Sequence, residues 1–414
     1  MDSALQATLL RHAARYPLMQ PQDLVKLLYQ REFGGEHFIK NPQQSLAGLQ
    51  KEVEERGSEL ELELISELAS VPLELMAACE SLGNGVSRLH LNKMQADDAL
   101  LAAVNRIFVA GARHARGSSG AFEAALNEVG QWVQGGHMPF GEDQWRSFLK
   151  EHRENGRPIL HHSDGYRSAY RPSYRLVLDR YLPCLDLIRG IESRLTRLHG
   201  RAVRNPGVRI SHDQPQHNPL VLSIDGYCGS GKSTLAALLG ELYDCDVIAM
   251  DDFFLPPALR TPERLAQPGG NIHYERFVEE VAEGLKSGKP FEYTAFDCSV
   301  MAYGVKKRVD MKPLVICEGS YSAHPQFESM YHYRIFVMCS RKEQRRRLLA
   351  RSGPELFDRF INEWIPMENI YFQRYAIREN SHISLDTATT TTAPPSRKKR
   401  KCYNGQQSRN TGSL

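Results

Sequence analysis

The sequence predicts an α/β protein: a parallel sheet covered by helices on both faces, preceded by a mostly α-helical region. Three observations predict it. Four short, β-rich apolar runs in the second half alternate with helical segments. A glycine-rich turn directly follows the first of those runs. The first two hundred residues instead repeat apolar positions at helical spacing.

Length and composition bound the rest. A chain of 414 residues suggests two or three domains, and 41% hydrophobic with 24% charged residues is ordinary for a globular protein. No apolar run approaches the roughly 18–20 residues that cross a bilayer, so no membrane span is expected. The first thirty residues break every apolar patch with Arg, His, Gln or Asp and lack the core of a secretory signal. The formal charge of +3 falls to −3 once six basic residues near the end (Arg397, Lys398, Lys399, Arg400, Lys401, Arg409) are set aside. A slightly acidic body argues against nucleic acid as the main partner. Eight cysteines without a C-x-x-C pair suit neither a disulfide framework nor a zinc ribbon, and fit a reducing cytoplasm.

From Met1 to about Gly200, helical spacing recurs in Leu24-Val25-Leu27-Leu28, in Leu60-Leu62-Leu64-Ile65-Leu68 and in Leu100-Leu101-Val104-Ile107-Phe108. Gly117-Ser118-Ser119-Gly120 and Gly135-Gly136 read as turns. A final helix is expected over Pro172–Leu198, with Pro in its first turn. Two clusters stand out. Glu32-Phe33-Gly34-Gly35-Glu36-His37 sets a glycine pair between acids and a histidine. The segment from His161 to Arg175 repeats Tyr-Arg every four residues behind His161-His162. Three readings stay open: packed tyrosines with solvated arginines, an anion cradle, or a metal site using His161, His162, Glu36, His37 or Asp164.

Residues 201–218 are polar and proline-bearing and read as a linker. The strand runs follow: Leu220–Ile224, Asp246–Met250, Leu314–Cys317 and Arg334–Met338. Residues 388–414 are Thr-rich, then basic and polar, and are expected to be a disordered tail.

The strongest motif is Gly226-Tyr227-Cys228-Gly229-Ser230-Gly231-Lys232-Ser233, a G-x-x-x-x-G-K-[ST] pattern between a strand and a helix-like run from Thr234. Its glycines let successive N–H groups face phosphate oxygens, and the helix start adds partial positive charge. Lys232 suits β- and γ-phosphate oxygens, and the Ser233 hydroxyl suits Mg²⁺. Gly226, Gly229, Ser230, Gly231, Lys232, Ser233 and Thr234 are thus the candidate ATP contacts. The second strand ends in Met250-Asp251-Asp252-Phe253-Phe254. α/β sheets place ligands at such strand ends, and Asp251 suits a base that takes a proton from an acceptor hydroxyl. One acid of the pair reads equally as a turn former. The third strand ends in Cys317-Glu318-Gly319, where an acid organises Mg²⁺ or caps the turn. Ser340–Arg351 is an Arg-rich helix; Arg347 and Arg351 are the candidates to neutralise a transferring phosphoryl group, the remainder a solvated face.

Taken in order, Gly226–Thr234, Asp251-Asp252-Phe253-Phe254, Cys317-Glu318-Gly319 and the Arg-rich segment resemble the uridine kinase-like branch of P-loop kinases, over about residues 219–387. The resemblance implies a three-layer α/β sheet with an Arg-bearing lid, ATP and Mg²⁺, a small-molecule hydroxyl acceptor and Asp251 as base. Asp252, His273, Tyr293 and Asp297 are the substrate-binding positions it suggests. The acceptor pocket departs from the family's pattern. Asn271-Ile272-His273 has His where uridine kinases carry a ribose-holding Asp, and no His follows Tyr293 and Asp297 nearby. A nucleoside is the default acceptor; a vitamin or sugar derivative is the alternative, as is an ATP-binding regulatory module without transfer. A nucleic-acid or nuclear-import role of the basic tail is a further one.

Overall fold

The computed structural model describes residues 3–35, 39, 41–60, 78–94, 97–113, 117–199 and 218–387. Glu36, His37, the run Leu62–Leu68, most of the expected linker and the expected tail lie outside the described residues. Two compact units divide between Glu192 and Ser193.

The first unit contains α1 (Ser3–Arg15), α2 (Pro21–Phe33), α3 (Pro42–Leu60), β1 (Cys79–Gly83), β2 (Val86–His90), α4 (Asp98–Arg113), α5 (Ser119–Gln134), α6 (Glu142–Glu154), α7 (Asp164–Tyr170) and β3 (Tyr174–Leu178). The Asp23 carboxylate accepts from Gln20 N at the start of α2 (3.0 Å), where Pro21 needs no partner for a missing N–H. Leu24, Leu27 and Leu28 then face a core shared with Phe108, Leu126 and Trp145.

Helices dominate this unit, as expected, but a three-stranded antiparallel sheet, ordered β1-β2-β3, accompanies them. The expected helix over Pro172–Leu198 is corrected accordingly. Arg171 ends α7 in the left-handed region (φ 40°), and Tyr174-Arg175-Leu176-Val177-Leu178 pairs with β2. Tyr and Val there favour a pleated, half-buried surface. A 3₁₀ stretch, Asp179–Cys184, follows before α8 (Leu185–His199). Gly135 and Gly136 do end α5, whereas Ser118 caps it and Ser119 and Gly120 lie within its first turn.

In the second unit, all four apolar runs form strands: β4 (Leu220–Gly226), β5 (Cys245–Ala249), β8 (Leu314–Glu318) and β9 (Tyr333–Met338). A fifth, β10 (Ile383–Asp386), completes a parallel sheet ordered β10-β9-β4-β8-β5. Every residue of the central strands β4 and β8 is buried, which explains runs without polar alternation. Flanking helices include α9 (Lys232–Leu242), α10 (Arg341–Arg359) and α11 (Ile365–Arg374). An antiparallel hairpin, β6 (Phe291–Asp297) with β7 (Ala302–Val309), stands as a separate two-stranded sheet. The Arg-rich α10 is two limbs: Gly353 at φ 76°, ψ 172° breaks it, and Pro354 starts the second. Among the described residues no helix is long and apolar enough to cross a membrane, and no disulfide joins the cysteines.

Candidate active site

The glycine-rich turn leaves the sheet at the end of β4. Gly226 takes φ 136°, and a Cβ there would lie 1.9 Å from the Val337 carbonyl oxygen of β9. Only glycine lets the chain turn so close to a neighbouring strand. Gly229 and Gly231 also lie at positive φ, and α9 starts at Lys232. Lys232 Nζ donates to the carbonyls of Gly226 (2.7 Å) and Tyr227 (3.0 Å) and to Ser320 Oγ (3.0 Å). The Ser230 hydroxyl is wholly buried with no hydrogen-bond partner among the described residues. Thr234 lies half-buried in the first turn of α9.

Parallel pairing sets Ile224 of β4 beside Glu318 of β8. Their register brings the two predicted Mg²⁺ residues together: Ser233 Oγ donates to both Glu318 carboxylate oxygens, at 2.9 and 3.1 Å. Gly319 follows at φ 138°, where a Cβ would stand 2.8 Å from Met250 Cβ, so the end of β8 packs directly on the turn after β5. A hydroxyl and a carboxylate side by side are hard oxygen donors, which suits Mg²⁺.

Several supporting residues escaped the sequence reading. Asp225, fully buried, accepts from the N–H groups of Gly226 (2.7 Å), Tyr321 (3.1 Å) and Ala323 (3.0 Å) and from Tyr371 Oη (2.9 Å). Burial pushes its carboxyl up to about 6, opposed by those hydrogen bonds and the Lys232 charge. Glu368 on α11 accepts from Cys228 N (2.9 Å) and from Ser320 Oγ (2.6 Å). Gln344 Nε2 donates to the Cys228 carbonyl at 2.9 Å. Asp225 leaves a trace in the sequence, an acid inside an apolar run; Glu368 leaves none.

On the acceptor side, Met250–Phe253 forms a single 3₁₀ turn that points the two acids differently. Asp251 is exposed at the carboxyl end of β5. Asp252 is buried and accepts from Tyr293 Oη (3.0 Å) and Lys307 Nζ (2.5 Å). Burial and that carboxylate push the Tyr293 hydroxyl far up. His273 is clipped to this turn, its N–H donating to the Phe253 carbonyl (2.7 Å) while Leu255 N donates to the Asn271 carbonyl (2.9 Å). Burial, then the Arg276 charge, lowers its pKa, so the ring is neutral at pH 7. Its buried Nδ1 has no partner among the described residues. Buried Arg276 donates to the carbonyls of Asp252 (2.6 Å) and Thr294 and lies over the Phe253 ring. The turn thus brings Asp251, Asp252, Tyr293 and His273 into one neighbourhood. Asp297 is exposed at the end of β6, where it accepts from Ser299 N (2.8 Å) and Oγ (2.6 Å).

The two arginines occupy different places. Arg347 grips the outside of the loop: it donates to the Ser230 carbonyl (3.1 Å), to Thr387 Oγ1 and O (2.8 and 2.9 Å) and to Glu343 (2.7 Å). Arg346 and Arg347 together hold the half-buried Glu343 carboxyl down to about 2. Arg351 is exposed near the break in α10, its guanidinium 5.6 Å from the Phe360 ring.

In the first unit, the Tyr-Arg segment packs inward. Tyr166 stacks on His162 at 4.2 Å, and Tyr170 meets Tyr16 and Tyr166 edge-on. Arg167 pairs with Asp164, and Arg175 with Glu52. His162 bridges Asp23 (2.9 Å) and Tyr174 Oη (2.6 Å). No group of three or more His, Cys, Asp or Glu able to hold a metal occurs among the described residues.

Over part of its length the chain is similar to several solved structures. One solved structure, from Bacillus stearothermophilus and described as a possible uridine kinase, is 19% identical over 42% of this chain and 92% of its own, with a TM-score of 0.32. D-glycerate 3-kinase from Cryptococcus neoformans is 17% identical over 43% of this chain and 84% of its own, with a TM-score of 0.31. Shikimate kinase from Bacteroides thetaiotaomicron is 14% identical over 40% and 85%, with a TM-score of 0.21. No family model and no curated protein matches the chain.

Proposed function

We propose that residues 219–387 form an ATP-dependent kinase domain that phosphorylates a hydroxyl of a small metabolite, a nucleoside being the first acceptor to test. Residues 1–200 are then a separate domain joined through 201–218. The observation that carries the reading is the pairing of Ser233 with Glu318, at 2.9 and 3.1 Å, beside Lys232 at the ends of β4 and β8. That is where a phosphate loop needs its cation ligands. Mg²⁺ bound there would neutralise charge on the β- and γ-phosphates.

The chain's own groups divide the remaining work. Lys232 leaves its carbonyl partners for phosphate oxygens, and backbone N–H groups of the glycine-rich turn donate to others. Asp251, exposed where the acceptor must arrive, takes the proton of the acceptor hydroxyl. The freed oxygen bonds to the γ-phosphorus as its bond to the β–γ bridging oxygen breaks, and ADP leaves. Asp252, held by Tyr293 and Lys307, and neutral His273 orient the acceptor; Asp297 is a further contact at the hairpin. Arg351 supplies charge from the exposed arm, while Arg347 holds the loop's outer side. Catalysis of this kind is mostly positioning and charge neutralisation.

An ATP-consumption screen over nucleosides, vitamins and sugar derivatives, with mass spectrometry of the product, tests the reading. A phosphorylated product is expected, and Asp251→Asn should bind ATP while losing about 10²–10⁴-fold in transfer. Protein that binds ATP but phosphorylates nothing across the panel overturns the kinase in favour of an ATP-binding regulatory module. Full transfer by Asp251→Asn overturns the assignment of the base.

A further inference from the structure

We propose that Glu368 is a positioning residue for the phosphate loop, setting both the loop's backbone and its lysine from a distant helix; this rests on the nucleotide-binding reading above. The Glu368 carboxylate is nine-tenths or more buried on α11, the helix that follows the Arg-bearing arm. One oxygen accepts the Cys228 N–H, an amide within the loop itself. The other accepts the Ser320 hydroxyl. Because that hydroxyl proton points to Glu368, a Ser320 oxygen lone pair is turned toward Lys232 Nζ, 3.0 Å away. The chain of contacts therefore runs carboxylate, hydroxyl, ammonium, and it sets where Lys232 rests before phosphate arrives. Three residues later Tyr371 reaches Asp225 from the same helix, so α11 holds the start and the middle of the turn between β4 and α9.

A carboxylate is required for this geometry because both of its partners donate. Glutamine offers one acceptor oxygen and a donor amide that faces Cys228 N–H or Ser320 O–H, so one contact is lost at nearly constant volume. A carboxylate so close to a triphosphate would repel it if it faced the ligand. Here one oxygen is committed to the Cys228 N–H and the other to the Ser320 hydroxyl, and Lys232 lies beyond Ser320.

The test is ATP binding to the full chain, read by titration with a fluorescent ATP analogue, in a double-mutant cycle. Glu368→Gln is expected to weaken binding about tenfold in the wild-type background and clearly less in Lys232→Ala, where the part of its action that passes through Ser320 to Lys232 is already gone. Ser320→Ala, which leaves the Cys228 contact intact, should give part of the loss and serves where Glu368→Gln fails to fold. Equal weakening in both backgrounds, or none in either, overturns the proposal while leaving nucleotide binding standing. A wild-type chain that binds no ATP overturns both, and so separates the two failures.

Discussion

Both units bury charged groups, but to opposite ends. In the first, Glu80 is met by Tyr16 (3.0 Å), His90 (3.2 Å), Arg15 (3.3 Å), Arg88 (3.5 Å) and His12 (3.5 Å). Arg88, fully buried, gives Nε and Nη2 to Gln30 Oε1 at 3.0 and 2.7 Å and lies 4.7 Å over the Tyr174 ring. This network closes on itself. In the second unit, the loop's buried Ser230 hydroxyl has no described partner, and Lys232 rests on two backbone carbonyls and Ser320 Oγ. Buried polarity by itself therefore says little about function. What separates the two is whether each donor is met within the fold, as those of Arg88 are, or one is left without a described partner, as the Ser230 hydroxyl is.

Two substitutions of similar size should break the contrast cleanly. Lys232→Ala is expected to lower transfer at least about 10³-fold, because a cation on the transferring phosphoryl group is lost, while the midpoint of urea unfolding stays close to wild type. Arg88→Met should do the reverse. It leaves Glu80 and Gln30 short of a buried partner, at a cost of about 3–5 kcal/mol, yet every partner of the phosphate loop described above comes from residues 225–387, so ATP affinity should hold. Loss of ATP binding in Arg88→Met would show that the closed network also serves the nucleotide site.

How much of this contrast can be read from the sequence depends on how local its causes are. The parallel sheet was legible because its central strands are buried on both faces and write apolar runs, as in Leu220–Ile224. The glycine-rich turn was legible because the glycines that allow it, Gly226, Gly229 and Gly231, lie within one eight-residue motif. Asp252 and Tyr293 were named through resemblance as separate substrate-binding positions, and their contact, which spans 41 positions, was not legible. Glu368 was invisible: its partner Cys228 is 140 residues away, and a glutamate on a helix looks like any solvated acid. Strand β3 was misread because Pro172 suits a helix start, and what decides the issue is the tertiary partner β2. Spacing cannot show that a neighbouring strand is waiting.

The next largest effect is one of pH. Burial, then the charges of Arg88 and Lys26, lowers the His162 pKa to about 4 against the pull of Asp23. The ring accepts the Tyr174 hydroxyl and donates to Asp23, which other hydrogen bonds from Ser163 and Gln20 hold ionised. A folded pKa below the unfolded 6.5 means stability that is present above pH 6.5 and lost as pH falls from 6.5 to 4. The shift corresponds to about 3 kcal/mol. Melting temperature followed from pH 7.5 to 4 should fall more steeply for wild type than for His162→Asn. His12, also lowered by burial, adds a slope of the same sign in both proteins, so the difference between the two curves is the readout. Parallel curves would mean that His162 does not titrate in that window.

The smallest effect sharpens the comparison within the first unit. Arg175 belongs to the same Tyr-Arg repeat that frames the buried network, and its guanidinium meets Glu52 at 2.9 Å. Yet both side chains stay in touch with water, 18% and 29% exposed, and solvent screens the pair. Arg175→Ala should therefore cost less than about 1 kcal/mol in urea unfolding, most of it absent in 1 M salt, where the Debye length shrinks to roughly 3 Å. Arg88 sits on a neighbouring strand of the same sheet and should show no such salt dependence, because no water reaches it. A cost for Arg175→Ala that approaches that of Arg88→Met, and persists in salt, would mean that the repeat's arginines carry the fold, and that the boundary between the closed network and its solvated rim lies elsewhere.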